Sequence, residues 1–233
     1  MTAERKPVFC IPLKSSPEAF NKYVDKMGVK GVECHELLGF EPELMVNFVP
    51  GAHLALIFCY PYQEKANAFL ENIYGQLAES GEGVVPQWAF FTKQKVRTDC
   101  GTYALFHALI NNIKRIDIAD SQFGEWLGLA KQKEVDECSD LLANNSQQAV
   151  LHEHCALNES ETNVPDKVEY HFITYIVHDE RLFEFDSVQE FPRDCGPSSD
   201  ATFLADVGTV CKELMDQLEN ISYNAIVISA KQD

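Results

Sequence analysis

Apolar and polar positions alternate along this chain with two periods, and the change from one to the other divides it into elements. Residues 17–27 read as an amphipathic helix and 42–48 as a short one. Residues 53–60 form a nearly unbroken apolar run of strand length, as in a buried strand. Residues 63–80 are polar enough to suggest a partly helical, exposed connection, and the aromatic run 87–93 predicts a second strand. From Cys100 through Ile113 the chain is apolar nearly all round, which predicts an interior helix. Helical patterns follow at 122–130 and 137–150, then strand-rich stretches at 168–177 and 181–186. A helix at 202–218 and a closing strand at 223–229 complete the order. No repeat or low-complexity segment interrupts it. The succession predicts an α/β protein with a central, mainly antiparallel sheet flanked by helices on both sides.

The helix starting at Cys100 carries the first candidate chemistry. A sulfur in the first turn meets backbone N–H groups that have no intrahelical partner, and their partial positive charge favours thiolate over thiol. A free cysteine is more often a small buried hydrophobe, so a partner is required. One is available downstream, where His171 lies near the start of one strand and Asp186 at the end of the next, in hairpin-like succession. Cysteine, histidine and acid in that order allow imidazole to take the thiol proton while the carboxylate orients the ring. Gln94, ahead of Cys100, has a side-chain amide able to donate to an oxyanion. On spacing alone, a catalytic triad and a purely structural role for these strands both stand.

The joined motifs decide further. Gln94, Cys100-Gly101-Thr102, His107-Ala108 and Asn111-Asn112, then His171-Phe172-Ile173, Phe185-Asp186, Phe191-Pro192 and Asn224-Ala225-Ile226, closely resemble the ubiquitin C-terminal hydrolases, small papain-like cysteine proteases. Pro12-Leu13 and Pro17-Glu18 extend the likeness to the start of the chain. The resemblance implies Cys100 as nucleophile, His171 as general base, Asp186 as its orienter and Gln94 as oxyanion donor. It further implies substrate contacts at Pro12, Leu13, Pro17, His152, Glu153, Asn224 and Ala225, no cofactor and no metal, and a knotted backbone, which periodicity could not reveal and the general rule disfavours. The expected activity is hydrolysis of small adducts or peptides from the C-terminal glycine of ubiquitin, or of a ubiquitin-like protein such as Nedd8. The expected catalytic domain spans residues 5–231 as one unit.

Four departures accompany the likeness. Thr98-Asp99 stands where relatives usually carry Asn and a small residue. Asp99 would oppose a thiolate if it faced the sulfur, and it is expected instead to cap the helix and turn away. Ser187-Val188 replaces the usual Gly-Arg after the acid, Lys14 replaces a Glu, and residues 32–49 lack the usual aromatic and Arg-Pro pieces. Asp99 and the altered turn motivate an alternative, a ubiquitin-binding protein without turnover. A different acyl hydrolase on a similar scaffold is a third possibility.

Composition adds compartment and partner. The 233 residues, 45% hydrophobic, suffice for one substantial core. Nothing behind Met1 to Lys6 forms a signal-peptide core, and no run reaches the ~18 apolar residues of a membrane span, so a soluble cytoplasmic monomer is expected. Eight cysteines without a Cys-x-x-Cys pair read as reduced thiols. The 19 basic and 36 acidic residues leave a charge of −17, which disfavours nucleic acid and anionic membranes. That sign suits the Arg-containing tail of ubiquitin, although excess acid also serves solubility alone.

Residues 151–167 read as an unusually long connection, which in the resembling family crosses over the active site. Its His152, His154 and Cys155 lack a fourth ligand at useful spacing for zinc. The remaining histidines have plainer readings. His107, seven residues along the helix from Cys100, is about 10 Å away along the axis and reads as a hydrogen-bonded core residue. His178 with Asp179 reads as a strand turn, and His35 and His53 as packing residues.

Overall fold

The structure, a computed structural model, describes residues 12–41, 49–95, 99–118, 121–157, 170–219 and 222–231. Among them the chain order is α1 (Pro17–Met27), β1 (Val32–Leu37), β2 (His53–Pro61), α2 (Glu64–Ser80), α3 (Cys100–Ile110), α4 (Gln122–Ala130), α5 (Val135–Ala143), α6 (Ser146–Leu157), β3 (Tyr170–His178), β4 (Arg181–Asp186), β5 (Arg193–Pro197), α7 (Phe203–Met215) and β6 (Asn224–Ala230). The six strands form one sheet in the order β1-β6-β2-β3-β4-β5, and every neighbouring pair is antiparallel.

Strand alternation divides the core between the two faces of that sheet. Ile57 and Cys59 of β2, Phe172 and Ile176 of β3, Phe183 and Phe185 of β4 and Ile226 and Ile228 of β6 pack with α1, α3, α4 and α5. Leu56, Phe58 and Tyr60 of β2, Ile173 and Tyr175 of β3, Leu182 of β4 and Val227 of β6 pack with α2 and α7. Both central-strand faces are therefore buried, which is why β2 reads as an unbroken apolar run.

Local chemistry sets the ends of several elements. Pro17 opens α1, Ser16 Oγ accepts from the Ala19 N–H, and Gly28 closes the helix with φ near 77° in the left-handed region. Asp179 and Glu180, with φ of 46° and 58°, form the two-residue loop between β3 and β4, as the twist of a tight hairpin requires. Beside that loop Trp88 stacks on His178 at 3.8 Å.

Several expectations need correction. Within the expected partly helical connection at 63–80, Glu64–Ser80 form a single 17-residue helix with Gln63 at its N-cap. The stretch 137–150 belongs to two helices, α5 and α6, and α6 continues to Leu157, so the first seven residues of the expected long connection are helical. β1 and β5 were not anticipated. Residues 87–93 are not a strand, because their backbone groups are taken by side chains: Phe90 N–H donates to Asn111 Oδ1 at 2.8 Å, Thr92 N–H to His107 Nε2 at 3.1 Å and Lys93 N–H to Ser139 Oγ at 2.8 Å. The expected helix at 42–48 lies outside the described residues. Among the described residues no helix is long and apolar enough to cross a membrane, and the seven described cysteines are free.

Candidate active site

All eleven residues of α3 are buried, so the helix runs through the interior and brings Cys100, its first residue, to the start of β3. There Sγ lies 3.7 Å from the Tyr170 carbonyl oxygen. Gly101 permits the close approach: a Cβ on it would sit 3.2 Å from Leu13 Cβ and 3.7 Å from the Phe172 ring. Thr174 of β3 donates its hydroxyl to the Ala104 carbonyl at 2.7 Å, which sets the height of the helix against the strand that carries His171.

Asp99 occupies the N-cap position, but its side chain makes no capping bond; the expectation of a side-chain cap is corrected here. Its backbone carbonyl accepts from Thr102 and Tyr103, while the carboxylate lies 3.0 Å from Nδ1 of His152, without hydrogen-bond alignment. The same Nδ1 is 2.7 Å from Thr102 Oγ1, which in turn meets the Tyr23 hydroxyl at 3.1 Å, and Gln148 Nε2 donates to that hydroxyl at 2.9 Å. This buried chain ties α1 and α6 to the first turn of α3. It gives the Asp99 carboxylate a partner of its own.

His171 and Asp186 are held by the β3–β4 hairpin. Asp186 pairs in register with Ile173, two residues beyond His171, a diagonal that long side chains can bridge. His171 Nε2 lies 2.6 Å from Asp186 Oδ1, with the carboxylate wholly buried, and the Val188 N–H donates to the same oxygen at 3.1 Å. Tyr60 and Tyr62 stand edge-on to the imidazole at 5.9 and 6.0 Å. Burial opposes a charge on His171, but the Asp186 carboxylate and its hydrogen bond, with the neighbouring Cys100 sulfur acting in the same direction, outweigh it and raise the pKa to about 10. The imidazolium is therefore the form that this site favours at neutral pH.

Gln94 reaches the same turn from the segment that replaces the expected strand. Its N–H donates to the Ser187 carbonyl at 2.7 Å, and Ser187 Oγ donates to its Oε1 at 3.1 Å. His107 supports that segment as a neutral acceptor: burial is the main cause that lowers its pKa to about 4, against opposing contributions from the Thr92 N–H and Asp186. Its ring stacks on Phe91 at 5.3 Å, in keeping with the core role expected of it.

The residues expected to touch a substrate are scattered in exposure. Pro12 is exposed and Leu13 buried against Gly101. Pro17 opens α1, and Glu153 is exposed on α6. The Asn224 amide accepts from Ser15 Oγ at 2.8 Å and donates to Glu36 at 2.7 Å. His152 and Ala225 are 1% and 0% exposed, their side chains packed in the interior of this structure. Sequence reading missed Tyr60 and Tyr62, whose only signal was an apolar strand, and Ser187, which it registered only as a lost glycine. Tyr62, Tyr170 and Val188 are exposed apolar side chains near the His171–Asp186 pair.

The family described as ubiquitin carboxyl-terminal hydrolase, family 1, matches residues 10–216. A ubiquitin carboxyl-terminal hydrolase of Drosophila melanogaster is 29% identical over 225 residues, covering 95% of this chain and 97% of its own. Ubiquitin carboxyl-terminal hydrolase isozyme L1 of Homo sapiens is 29% identical over 220 residues, 93% and 96% of the two chains. In structure, the catalytic domain of Trichinella spiralis UCH37 bound to ubiquitin vinyl methyl ester matches with a TM-score of 0.73 at 17% identity, covering 96% of each chain. A second structure of UCH37 with the same ligand gives 0.72 at 16% identity, covering 96% of this chain and 83% of the other. At those identities the structures speak for the fold.

Proposed function

Because the chain belongs to ubiquitin carboxyl-terminal hydrolase family 1, a family of cysteine peptidases, we propose that it releases small adducts or peptides from the C-terminal glycine of ubiquitin, with Cys100 as nucleophile, His171 as acid and base, Asp186 as orienter and Gln94 as oxyanion donor. A papain-like, knotted threading of the backbone and a ubiquitin-like protein as a second substrate belong to the same reading. The observation that carries it is the buried His171–Asp186 contact at 2.6 Å with Cys100 beside the imidazole.

The chemistry follows from that arrangement. The Cys100 sulfur, its proton passed to His171, adds to the carbonyl carbon of the terminal glycine. Negative charge moves to the carbonyl oxygen, where the Gln94 amide would donate. As the tetrahedral species collapses, the C–N or C–O bond breaks and His171 gives its proton to the leaving group. Water then attacks the thioester as His171 takes its proton, and the ubiquitin carboxylate and Cys100 are released. Asp186, fixed by the Val188 N–H as well as by the ring, keeps the imidazole in one orientation throughout.

The features that favoured an inactive binder lose weight on this geometry. Asp99 has His152 as its partner, and Ser187 adopts no left-handed backbone, so the turn after Asp186 does not depend on glycine. The test is hydrolysis of a ubiquitin C-terminal fluorogenic amide by wild type and Cys100→Ala. The variant is expected to lose at least ~10³-fold in rate while still binding ubiquitin. Hydrolysis near the wild-type rate would assign the nucleophile elsewhere.

A further inference from the structure

We propose that Ser187 is a positioning residue for the oxyanion donor, its hydroxyl and carbonyl together holding Gln94; the inference rests on the reading above that Gln94 serves the oxyanion. Among the described residues Gln94 belongs to no strand, so its position is not set by a sheet ladder. Two of its contacts go to one residue: its N–H donates to the Ser187 carbonyl at 2.7 Å and its Oε1 accepts from Ser187 Oγ at 3.1 Å. Main chain and side chain of Gln94 are thereby both registered on Ser187.

The carboxamide is planar, so a donor seated on Oε1 fixes its plane and leaves the two N–H groups on the opposite edge. A hydrogen bond accepted at the amide oxygen also polarises the group and strengthens those N–H donors. Ser187 is 2% exposed, so water does not compete freely for the hydroxyl. It directly follows Asp186, and the next residue, Val188, donates its N–H to Asp186 Oδ1 at 3.1 Å. One short turn thus carries the group that orients the imidazole and the group that orients the oxyanion donor, and the distance between the two sites of charge development is fixed by three consecutive residues. An alanine at 187 would keep the backbone contact and remove the side-chain one. A glycine would further loosen the turn, although no positive φ calls for it.

The experiment is a double-mutant cycle on kcat and KM for a ubiquitin C-terminal fluorogenic amide, using wild type, Ser187→Ala, Gln94→Ala and the double variant, with Ser187→Thr as the hydroxyl-preserving control and thermal unfolding recorded for each. Gln94→Ala is expected to lower kcat about 10²-fold with KM little changed. Ser187→Ala is expected to lower kcat roughly 5- to 20-fold with KM within about 2-fold, because a misoriented donor keeps part of its effect. In the Gln94→Ala background the same substitution should change kcat less than about 2-fold, since the group it positions is gone. Ser187→Thr should stay within about 3-fold of wild type; should it unfold early, the cycle alone decides. If Gln94→Ala lowers kcat but Ser187→Ala does not, or if the two losses multiply independently, the positioning role is overturned and Gln94 keeps its own. If Gln94→Ala leaves kcat unchanged, the oxyanion reading falls, and this inference falls with it.

Discussion

His171 and His107 share a buried site yet hold protons in opposite ways, because only one faces an anion directly. Burial disfavours charge on both rings; for His171 the Asp186 carboxylate at 2.6 Å reverses the outcome, raising the pKa to about 10, whereas His107 faces a backbone donor and falls to about 4. A pKa raised on folding contributes stability that is fully present below the unfolded value, ~6.5, and is lost as pH rises toward 10. His107, with its pKa lowered, contributes above ~6.5 and loses that contribution as pH falls toward 4. Denaturant unfolding between pH 4 and 10 should accordingly show both limbs. Asp186→Asn should flatten the alkaline one, because without the carboxylate charge burial keeps His171 neutral. An NMR titration of the ring should then find its pKa below ~6.5, and hydrolysis should fall by 10²-fold or more. An imidazole still titrating near 10 in the Asn variant would show that another group supplies the charge.

Each element of the candidate site is braced by an interaction outside the proposed reaction. β3 is pinned to α3 through Thr174, the 87–95 segment to α3 through His107 and Asn111, and α6 to α3 through His152 and Thr102. The bracing of β4 is a buried ion pair. Glu184, wholly buried two residues before Asp186, accepts from Tyr74 at 3.0 Å, Tyr175 at 2.7 Å and Arg193 of β5 at 2.8 Å. Burial alone would lower the Arg193 pKa, but the Glu184 charge holds it above the ordinary guanidinium value. Glu184→Ala would leave that guanidinium buried without its anion, and is expected to cost about 3–5 kcal/mol in denaturant unfolding. Because β4 presents Asp186, activity should decline with the stability of this strand. A loss below about 1 kcal/mol would mean that water or a neighbour replaces Glu184.

At the scale of the molecule, the link from α6 to β3 sets what could pass the site if, as the resemblance implies, it crosses over it. With α6 running to Leu157 and β3 starting at Tyr170, 12 residues remain between them, fewer than the pattern of polar positions suggested. Thirteen steps of roughly 3.4 Å span at most ~44 Å, so with a base of ~10 Å the enclosed ring is only ~17 Å across. A compact domain of about 75 residues is ~29 Å across by radius-of-gyration scaling. Small adducts and unfolded tails should therefore be released quickly, and folded ubiquitin dimers left nearly intact. Inserting about ten Gly/Ser residues near Asn158 should open dimers to cleavage while hydrolysis of a small adduct stays within a few-fold. Wild type cutting both substrates equally fast would rule this filter out.

What the sequence determined by itself was whatever short-range pattern carries. The apolar α3, the β2 run and the β3–β4 hairpin are local, so the sequence could place His171 and Asp186 on neighbouring strands, while the register set by the two-residue loop brought them to 2.6 Å. Tertiary structure decided what each buried face packs against. β1 and β5 escaped notice because VECHEL and RDCGP are short, partly charged and exist as strands only through β6 and β4. The 87–93 segment looked like a strand because aromatic burial resembles strand burial, and only the side chains of α3 and Ser139 show where its backbone bonds go. Asp99 turns toward a histidine 53 positions away, and Ser187 holds a glutamine 93 positions back. Periodicity records that a position is buried; which distant donor or charge waits there depends on loop closures whose outcome no local pattern contains.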